Sequence, residues 1–292
     1  MIRIVTDSGA NLPSDVRAKY NIGIVPLLVI FGNKTYRDEV DLSHEQFYRM
    51  LRQEKILPTT STPAPTDFIE VWRPILDAGD EIVSIHLPSG LSATFASAVN
   101  AKSQLESERG GNVPITLVDS KWVSMAMGFQ ALEGARAAVK GAAVDQIVQA
   151  MTALDPRLSA LFLLDTLEYL RRGGRIGNAQ AFLGAMFHIK PLLQIRNAGI
   201  EPLERARSRK AGLKRLVELV NEPPTNGEGI LPIGTGALHI AIMHADAPDD
   251  AQYLANEIRA RFNSAEMYSG QIGPAIGVHG GPQLVGAVFY RE

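Results

Sequence analysis

The sequence predicts an α/β protein with two α/β domains, the first containing a mainly parallel sheet and the second a mixed sheet. Two observations support this prediction. Along residues 1–155, short β-branched segments alternate with segments of helical periodicity, which is typical of a parallel sheet. Beyond Asp155-Pro156 the alternation continues, but Asn197-Ala198-Gly199 separates two strand-like segments and predicts a hairpin. We therefore expect domains at residues 1–155 and 156–292.

Hydrophobic periodicity and turn residues locate the elements of the first domain. Its expected strands are residues 2–7, 22–30, 82–87 and 115–120. Its expected helices are a short one after Leu12 and residues 43–54, 68–76, 91–108, 123–140 and 144–154. Ser43 followed by Gln46 has the spacing of a capping box. Residues 57–65 contain three prolines and are expected to form an extended loop rather than a helix.

The second domain is expected to mix parallel and antiparallel strands. Its expected strands are residues 158–164, 190–195, 201–205, 238–243, 265–268 and 284–290. Its expected helices are residues 166–171, 174–188, 209–221 and 248–262. The chain has 292 residues, of which 46% are apolar, and this is sufficient for two separate cores.

Composition excludes several classes of function. The net charge of −2 argues against a nucleic-acid-binding protein, which would need a basic face. The absence of cysteine removes disulfides, thiolate catalysis and cysteine-ligated metals. The N-terminus lacks the pattern of a signal peptide, and no stretch approaches the ~20 apolar residues that cross a bilayer. We expect a soluble, cytoplasmic protein.

Two segments follow strands at the edge where parallel α/β sheets bind ligands. They are Thr59–Pro65 and Leu87–Thr94, and both are rich in hydroxyl side chains. Neutral hydroxyls beside a helix N-terminus suit a carboxylate attached to an apolar tail, because they donate hydrogen bonds without adding a charge. The alternative is that Ser89 or Ser92 only caps the following helix.

Three further segments allow both a functional and a structural interpretation. The arginines of residues 170–177 could contact an anionic head group or a partner, or could complement the end of a helix. The apolar residues 179–187, which include Phe182, Met186 and Phe187, could form core or a pocket wall. In residues 273–282, His279 lies among glycines and prolines and could approach a ligand closely, although a lone histidine is more often structural.

An enzyme is the main alternative to a binding protein. His279-Gly280-Gly281 is similar to an oxyanion loop, so a hydrolase or transferase with Ser92 as nucleophile and His279 as acid/base must be considered. However, the G-x-S-x-G elbow of many serine hydrolases is absent. There is also no Walker pattern, and Gly234-Thr235-Gly236 is only a weak match to a dinucleotide fingerprint. The histidines show no metal-ligand spacing, so no metal site is predicted.

Seven of these segments together resemble the DegV family, in the order of that family and across nearly the whole chain. They are Asp7-Ser8, Thr60-Ser61-Thr62-Pro63, residues 87–94, Val118-Asp119-Ser120, residues 166–176, Lys190-Pro191 and residues 273–282.

The resemblance implies two domains with a long-chain fatty acid buried between them and no other cofactor. It implies that Thr60, Ser61 and Ser92 hold the carboxylate, with His279 beside it. Arg175 and Arg207 match family arginines that face the head group or a partner. Some members are the fatty-acid-presenting subunit of a kinase whose other subunit binds ATP. The expected protein is therefore a lipid carrier rather than an enzyme, with transient membrane contact as a hypothesis for ligand release.

Overall fold

The computed structural model describes residues 1–53, 57–222 and 236–292, and of residues 185–188 the backbone alone. Its strands are β1 (Ile2–Asp7), β2 (Gly23–Val25), β3 (Leu28–Phe31), β4 (Lys34–Arg37), β5 (Thr59–Ser61), β6 (Glu81–His86), β7 (Ile115–Asp119), β8 (Ser159–Leu163), β9 (Lys190–Arg196), β10 (Gly199–Ala206), β11 (Leu238–His244), β12 (Ser264–Gln271) and β13 (Val285–Arg291). The α/β fold class is confirmed.

The helices lie between these strands, as the alternating pattern predicts. They are α1 (Ser14–Tyr20), α2 (His44–Gln53), α3 (Pro65–Asp77), α4 (Thr94–Arg109), α5 (Met125–Val139), α6 (Val144–Thr152), α7 (Glu168–Arg172), α8 (Arg209–Asn221), α9 (Pro248–Arg261) and α10 (Pro274–Gly280). Two 3₁₀ helices span Ser8–Ala10 and Gly177–His188. None of the helices in the described residues is both long and apolar enough to cross a membrane.

The N-terminal sheet is parallel and has the strand order β2-β1-β6-β7. Helices cover both of its faces, which explains why its strands are apolar on both sides. Val5 and Ile82 pack in one buried cluster with α3 and α4. Ile4 and Val83 pack in another buried cluster that includes α5 and α6. Because parallel strands end at the same edge, the segments after β1 and β6 lie close together.

The single strand expected at residues 22–30 is wrong, because the structure divides it at Pro26. Residues before the proline form β2 in the parallel sheet, whereas residues after it form β3 in an antiparallel sheet of order β4-β3-β5. Proline has no N–H to donate, which favours a break in the strand. The loop expected at residues 57–65 also contains a strand. Residues 59–61 form the edge strand β5 of this antiparallel sheet, and Thr60 pairs with Val29.

The C-terminal sheet is mixed and has the strand order β10-β9-β8-β13-β11-β12. Strands β11 and β12 run parallel, and the other neighbours are antiparallel. The predicted hairpin is confirmed, with Arg196 opposite Gly199 and both Asn197 and Ala198 at positive φ, as a two-residue primed turn requires.

Helices α8 and α9 cover one face of this sheet, which we call the outer face, in a closed apolar cluster. The opposite, inner face meets the N-terminal half of the chain. There Phe129 of α5 lies 5.2 Å from the ring of Tyr290, and Tyr48 of α2 donates to the Ile272 carbonyl at 2.9 Å. The domain boundary at residues 155 and 156 stays a prediction.

Candidate functional site

A cavity opens between the inner face of the C-terminal sheet and the strand ends of the N-terminal half. It contains about 1100 Å³ of atom-free space, counting the part that opens to solvent. Its walls include Leu27, Leu87 and Val123 from the N-terminal half. Ile272 and Leu284 line it from the C-terminal half.

The floor of the cavity comes from the alternation of side chains along the sheet. Residues two apart on one strand face the same side. On β8 this places Ala160 and Phe162 toward the cavity, and on β13 it places Gly286 and Val288 there. The small size of Ala160 and Gly286 leaves space above the sheet. The floor is therefore apolar, which suits a hydrocarbon.

The predicted polar residues gather at the wall of the same cavity. Thr60 and Ser61 come from β5, and Ser92 comes from the turn before α4. His279 is in the last turn of α10, and Arg175 follows α7. Four separate parts of the chain thus place hydroxyl, imidazole and guanidinium groups around one space that is otherwise mainly apolar.

His279 is held as a neutral ring. Its Nε2 lies 2.8 Å from Oγ1 of Thr60, while its buried Nδ1 has no hydrogen-bond partner among the described residues. Burial, together with the nearby charge of Arg175, lowers the pKa of His279 to about 4. We infer that Nε2 carries the proton, because a buried N–H without an acceptor at Nδ1 would be the more costly arrangement.

This tautomer has a consequence for Thr60. If His279 donates to Thr60, the hydroxyl proton of Thr60 remains free to donate to another acceptor. Thr60 and His279 both line the cavity, so the relay can end on a ligand oxygen placed there. Hydrogen bonds in such a chain polarise and strengthen one another.

The glycines around His279 allow close packing rather than an open loop. Residues 274–280 form a helix, and a Cβ on Gly277 would lie 2.7 Å from atoms of Phe47 and Tyr48. A Cβ on Gly173 would lie 2.2 Å from Nδ1 of His279. The backbone of Gly173 therefore packs against one edge of the His279 ring, while the ring also lines the cavity.

Ser92 contacts the first residue of α4 and also lines the cavity. Its Oγ lies 2.8 Å from Oγ1 of Thr94 and accepts a 3.3 Å hydrogen bond from the Thr94 N–H at the start of α4. Ser89 is not the cap, because its hydroxyl and N–H both donate to Asp119, at 2.6 and 2.9 Å.

The two predicted arginines occupy different places. Arg175 is exposed at the cavity and donates to the carbonyl of Leu91 at 3.2 Å and to that of Gly173 at 2.7 Å. It thus joins the segment after α7 to the N-terminal half. Arg207 is exposed but is not part of the cavity wall.

The structure does not place Phe182 in the cavity wall. Phe182 is 8% exposed and lies under the guanidinium of Arg205, 4.5 Å from its ring centre. The side chains of Met186 and Phe187 lie outside the described residues. Leu27, Met243 and other wall residues were missed, because an apolar residue beside a cavity has the same sequence pattern as one in a core.

A buried carboxyl without a predicted role supports α10. Asp38 is 1% exposed and accepts from Oγ of Ser8 at 2.8 Å and from the N–H of Ala275 at 3.4 Å. Burial raises its pKa to about 7. Asp38 thereby connects the end of β1 to the helix that carries His279.

The geometry does not join Ser92 to His279 as nucleophile and base. Both residues line the cavity, but Nε2 of His279 contacts Thr60 and Oγ of Ser92 contacts Thr94. In addition, Ser84 Oγ, His86 and Asp7 form a triad-like chain with distances of 2.7 and 3.1 Å. All three of these side chains are fully buried, so no substrate can reach them in this conformation.

Across residues 1–53, 57–222 and 236–292, no three His, Cys, Asp or Glu side chains are placed to hold a metal ion. Gly234 and Thr235 of the weak dinucleotide pattern lie outside the described residues.

Comparison with known proteins gives one consistent family. The profile described as "Uncharacterised protein, DegV family" matches residues 1–292. A DegV domain-containing protein of Streptomyces coelicolor is 38% identical over 289 residues, which cover 98% of this chain and 97% of that protein.

Solved structures of similar fold match this chain over its full length. The chain is similar to DegV, a fatty acid binding protein from Bacillus subtilis, with 32% identity and a TM-score of 0.86. It is also similar to a DegV family protein from Thermus thermophilus whose structure describes fatty acid binding, with 29% identity and a TM-score of 0.88. Each comparison covers 100% of this chain and 99% of the other.

Proposed function

Because the chain belongs to the DegV family, we propose that it binds a long-chain fatty acid in the cavity between its two halves. The observation that carries this proposal is the composition of the cavity wall. Hydroxyl groups and a neutral imidazole line it, with Thr60 and His279 in hydrogen-bond contact, whereas the sheet face that forms its floor is apolar. Similar solved structures are of fatty acid binding proteins, which supports the same ligand class.

The carboxylate is proposed to lie at Thr60, Ser61, Ser92 and His279. Thr60 donates its free proton to the carboxylate, and the His279–Thr60 hydrogen bond orients that donor. A hydrogen bond to a charged acceptor contributes about 1.5–3 kcal/mol. Arg175, at the exposed side, supplies positive charge without being buried. The head group thus sets the orientation of the ligand.

The hydrocarbon chain is proposed to extend over Ala160, Gly286 and Val288. Each buried methylene contributes about 0.8 kcal/mol before the costs of ordering, so burial of the tail dominates the affinity. Phe182, which lies under Arg205, is not assigned to the tail site in this proposal.

The biological role is proposed to be presentation of the bound acid, not catalysis. Domains at residues 1–155 and 156–292 would hold the ligand between them. Arg175 and Arg207 are exposed and can meet an ATP-binding kinase subunit that phosphorylates the carboxylate. The carrier would work in the cytoplasm and load or release its ligand in transient contact with a membrane.

Solvent extraction of the purified, denatured protein followed by lipid mass spectrometry tests this proposal. We expect close to one fatty acid per chain. A protein that is empty and also takes up no added fatty acid would overturn the proposal. As a control for catalysis, the same protein incubated with ATP alone should form no acyl phosphate, and acyl esters should remain intact.

A further inference from the structure

Met243 borders both the cavity and a second depression. The second depression, which we call the edge groove, lies along the edge strand β12 and contains about 940 Å³ of atom-free space, including its solvent-open part. Gly270 and Gln271 line it from β12, and Asn11 and Arg17 line it from the N-terminal half. Met243 lines both the cavity and the edge groove.

The register of the sheet explains this position. Met243 on β11 is paired with Gly286 of β13 on one side and with Gly270 of β12 on the other. Paired residues of neighbouring strands face the same side of a sheet. Gly286 lines the cavity and Gly270 lines the edge groove, so Met243 is the only side chain in this cross-strand row between two glycines.

The contacts of Met243 show that it fills the space above Gly270. A Cβ built on Gly270 would lie 3.5 Å from Cε and 3.8 Å from Sδ of Met243. Met243 is itself only 4% exposed. The barrier between cavity and edge groove at this point is therefore a methionine side chain, which is unbranched and has three rotatable bonds.

Met243 differs from the proposed head-group residues in that it also borders the edge groove. None of Thr60, Ser61, Ser92, His279 and Arg175 lines the edge groove. A fatty acid whose carboxylate is bound by those residues would therefore meet Met243 with its hydrocarbon chain rather than with its head.

We infer that Met243 is the residue that limits the length of the acyl chain, an inference that rests on the proposed function. A chain that reaches Met243 must stop, bend or displace that side chain. A smaller residue would join the cavity to the edge groove across a floor of Gly286 and Gly270. The end of a longer chain could then pass into the groove, where polar residues and solvent give it little further stabilisation.

Binding of saturated fatty acids with chains of increasing length to wild type, Met243→Ala and Met243→Phe tests the inference. For wild type, affinity should rise with length to a maximum and then fall. For Met243→Ala the fall should become a plateau, with binding about tenfold tighter than wild type two carbons beyond the maximum. Met243→Phe should move the maximum to a shorter chain.

Met151→Ala is the matched control. Met151 is buried like Met243, but it packs against Gly134 of α5 and does not line the cavity. Its variant should lose stability without changing the length profile. An unchanged profile in both Met243 variants, or an equal change in Met151→Ala, would overturn the inference. Wild-type protein that binds no fatty acid of any length would instead overturn the proposed function.

Discussion

The two faces of the C-terminal sheet are made by the same strands but are covered differently. On β13, Val285, Ala287 and Phe289 face α8 and α9 in a closed cluster. The intervening Gly286 and Val288 face the cavity. The outer face thus provides stability through close packing, whereas small residues on the inner face leave space for a ligand. A change of one position along a strand therefore determines whether a side chain affects folding or binding.

The largest expected difference between the two faces is in the stability that is lost when a side chain is truncated. Ile242→Ala on the outer face should lower the free energy of unfolding by about 2–5 kcal/mol, because it creates a cavity in a packed core. Val288→Ala on the inner face should cost less, since the removed methyl groups already border open space. Urea unfolding of both ligand-free variants measures the difference. Equal losses would contradict the contrast between the faces.

Replacement of an alanine by a larger residue should weaken fatty acid binding on the inner face but not on the outer face. Ala160→Phe should fill the floor of the cavity and weaken fatty acid binding by about 100-fold, because several methylenes lose their site. Ala287→Phe is the matched control on the outer face, where overpacking should cost about 1–3 kcal/mol of stability. Titration with a fluorescent fatty acid should show normal affinity for folded Ala287→Phe, and equal weakening in both variants would refute the assignment.

The polar part of the inner face can be tested with an isosteric change. Thr60→Val removes the hydroxyl that His279 orients and should weaken binding of a fatty acid by about tenfold. Ser92→Ala should have a smaller effect, because its Oγ already contacts Thr94. A fatty alcohol of the same length, measured by displacement, should be less affected by Thr60→Val. An equal loss for acid and alcohol would show that Thr60 does not recognise the carboxylate.

The smallest expected effect is a change in pH dependence. The pKa of His279 is lowered from 6.5 to about 4, so between these values the unfolded chain binds more protons than the folded one. The ligand-free protein should therefore lose stability through His279 as pH falls from about 6.5 to about 4. Asp38 acts in the opposite direction over a similar range, because its raised pKa of about 7 makes protonation favour the folded state.

The difference between wild type and His279→Gln isolates the first contribution. Free energies of unfolding measured at several pH values should show that the variant loses less stability than wild type on acidification. Identical pH profiles would mean that His279 is protonated as easily in the folded protein as in the unfolded chain.

Much of the fold could be predicted from the sequence, because alternation and turn residues act locally. The hairpin at Asn197-Ala198 is an example, since the turn itself determines the register. The break at Pro26 could also have been predicted from the missing N–H. Helix α10 could not, because Gly277 within it packs against Phe47 and Tyr48, and Gly281 just after it packs against Tyr169, all of which are remote in sequence.

The polar residues of the site could be predicted from the sequence better than its apolar wall. The polar residues Thr60, Ser92 and His279 lie in unusual motifs, and the structure brings them to one cavity. The apolar wall carries no such signal, and Phe182, for which the sequence left core and pocket wall both open, lies under Arg205. The role inferred for Met243 depends on its cross-strand neighbours, which only the register of the sheet reveals.

A crystal structure of the protein loaded with a fatty acid brominated at its terminal carbon would test the central claim most directly. The anomalous signal of bromine locates the end of the tail independently of the carboxylate. We predict that the carboxylate lies within hydrogen-bond distance of Thr60 Oγ1 and that bromine lies inside the cavity, beside Met243 and Gly286. Bromine beside Arg175, or a ligand bound outside the cavity, would contradict the account.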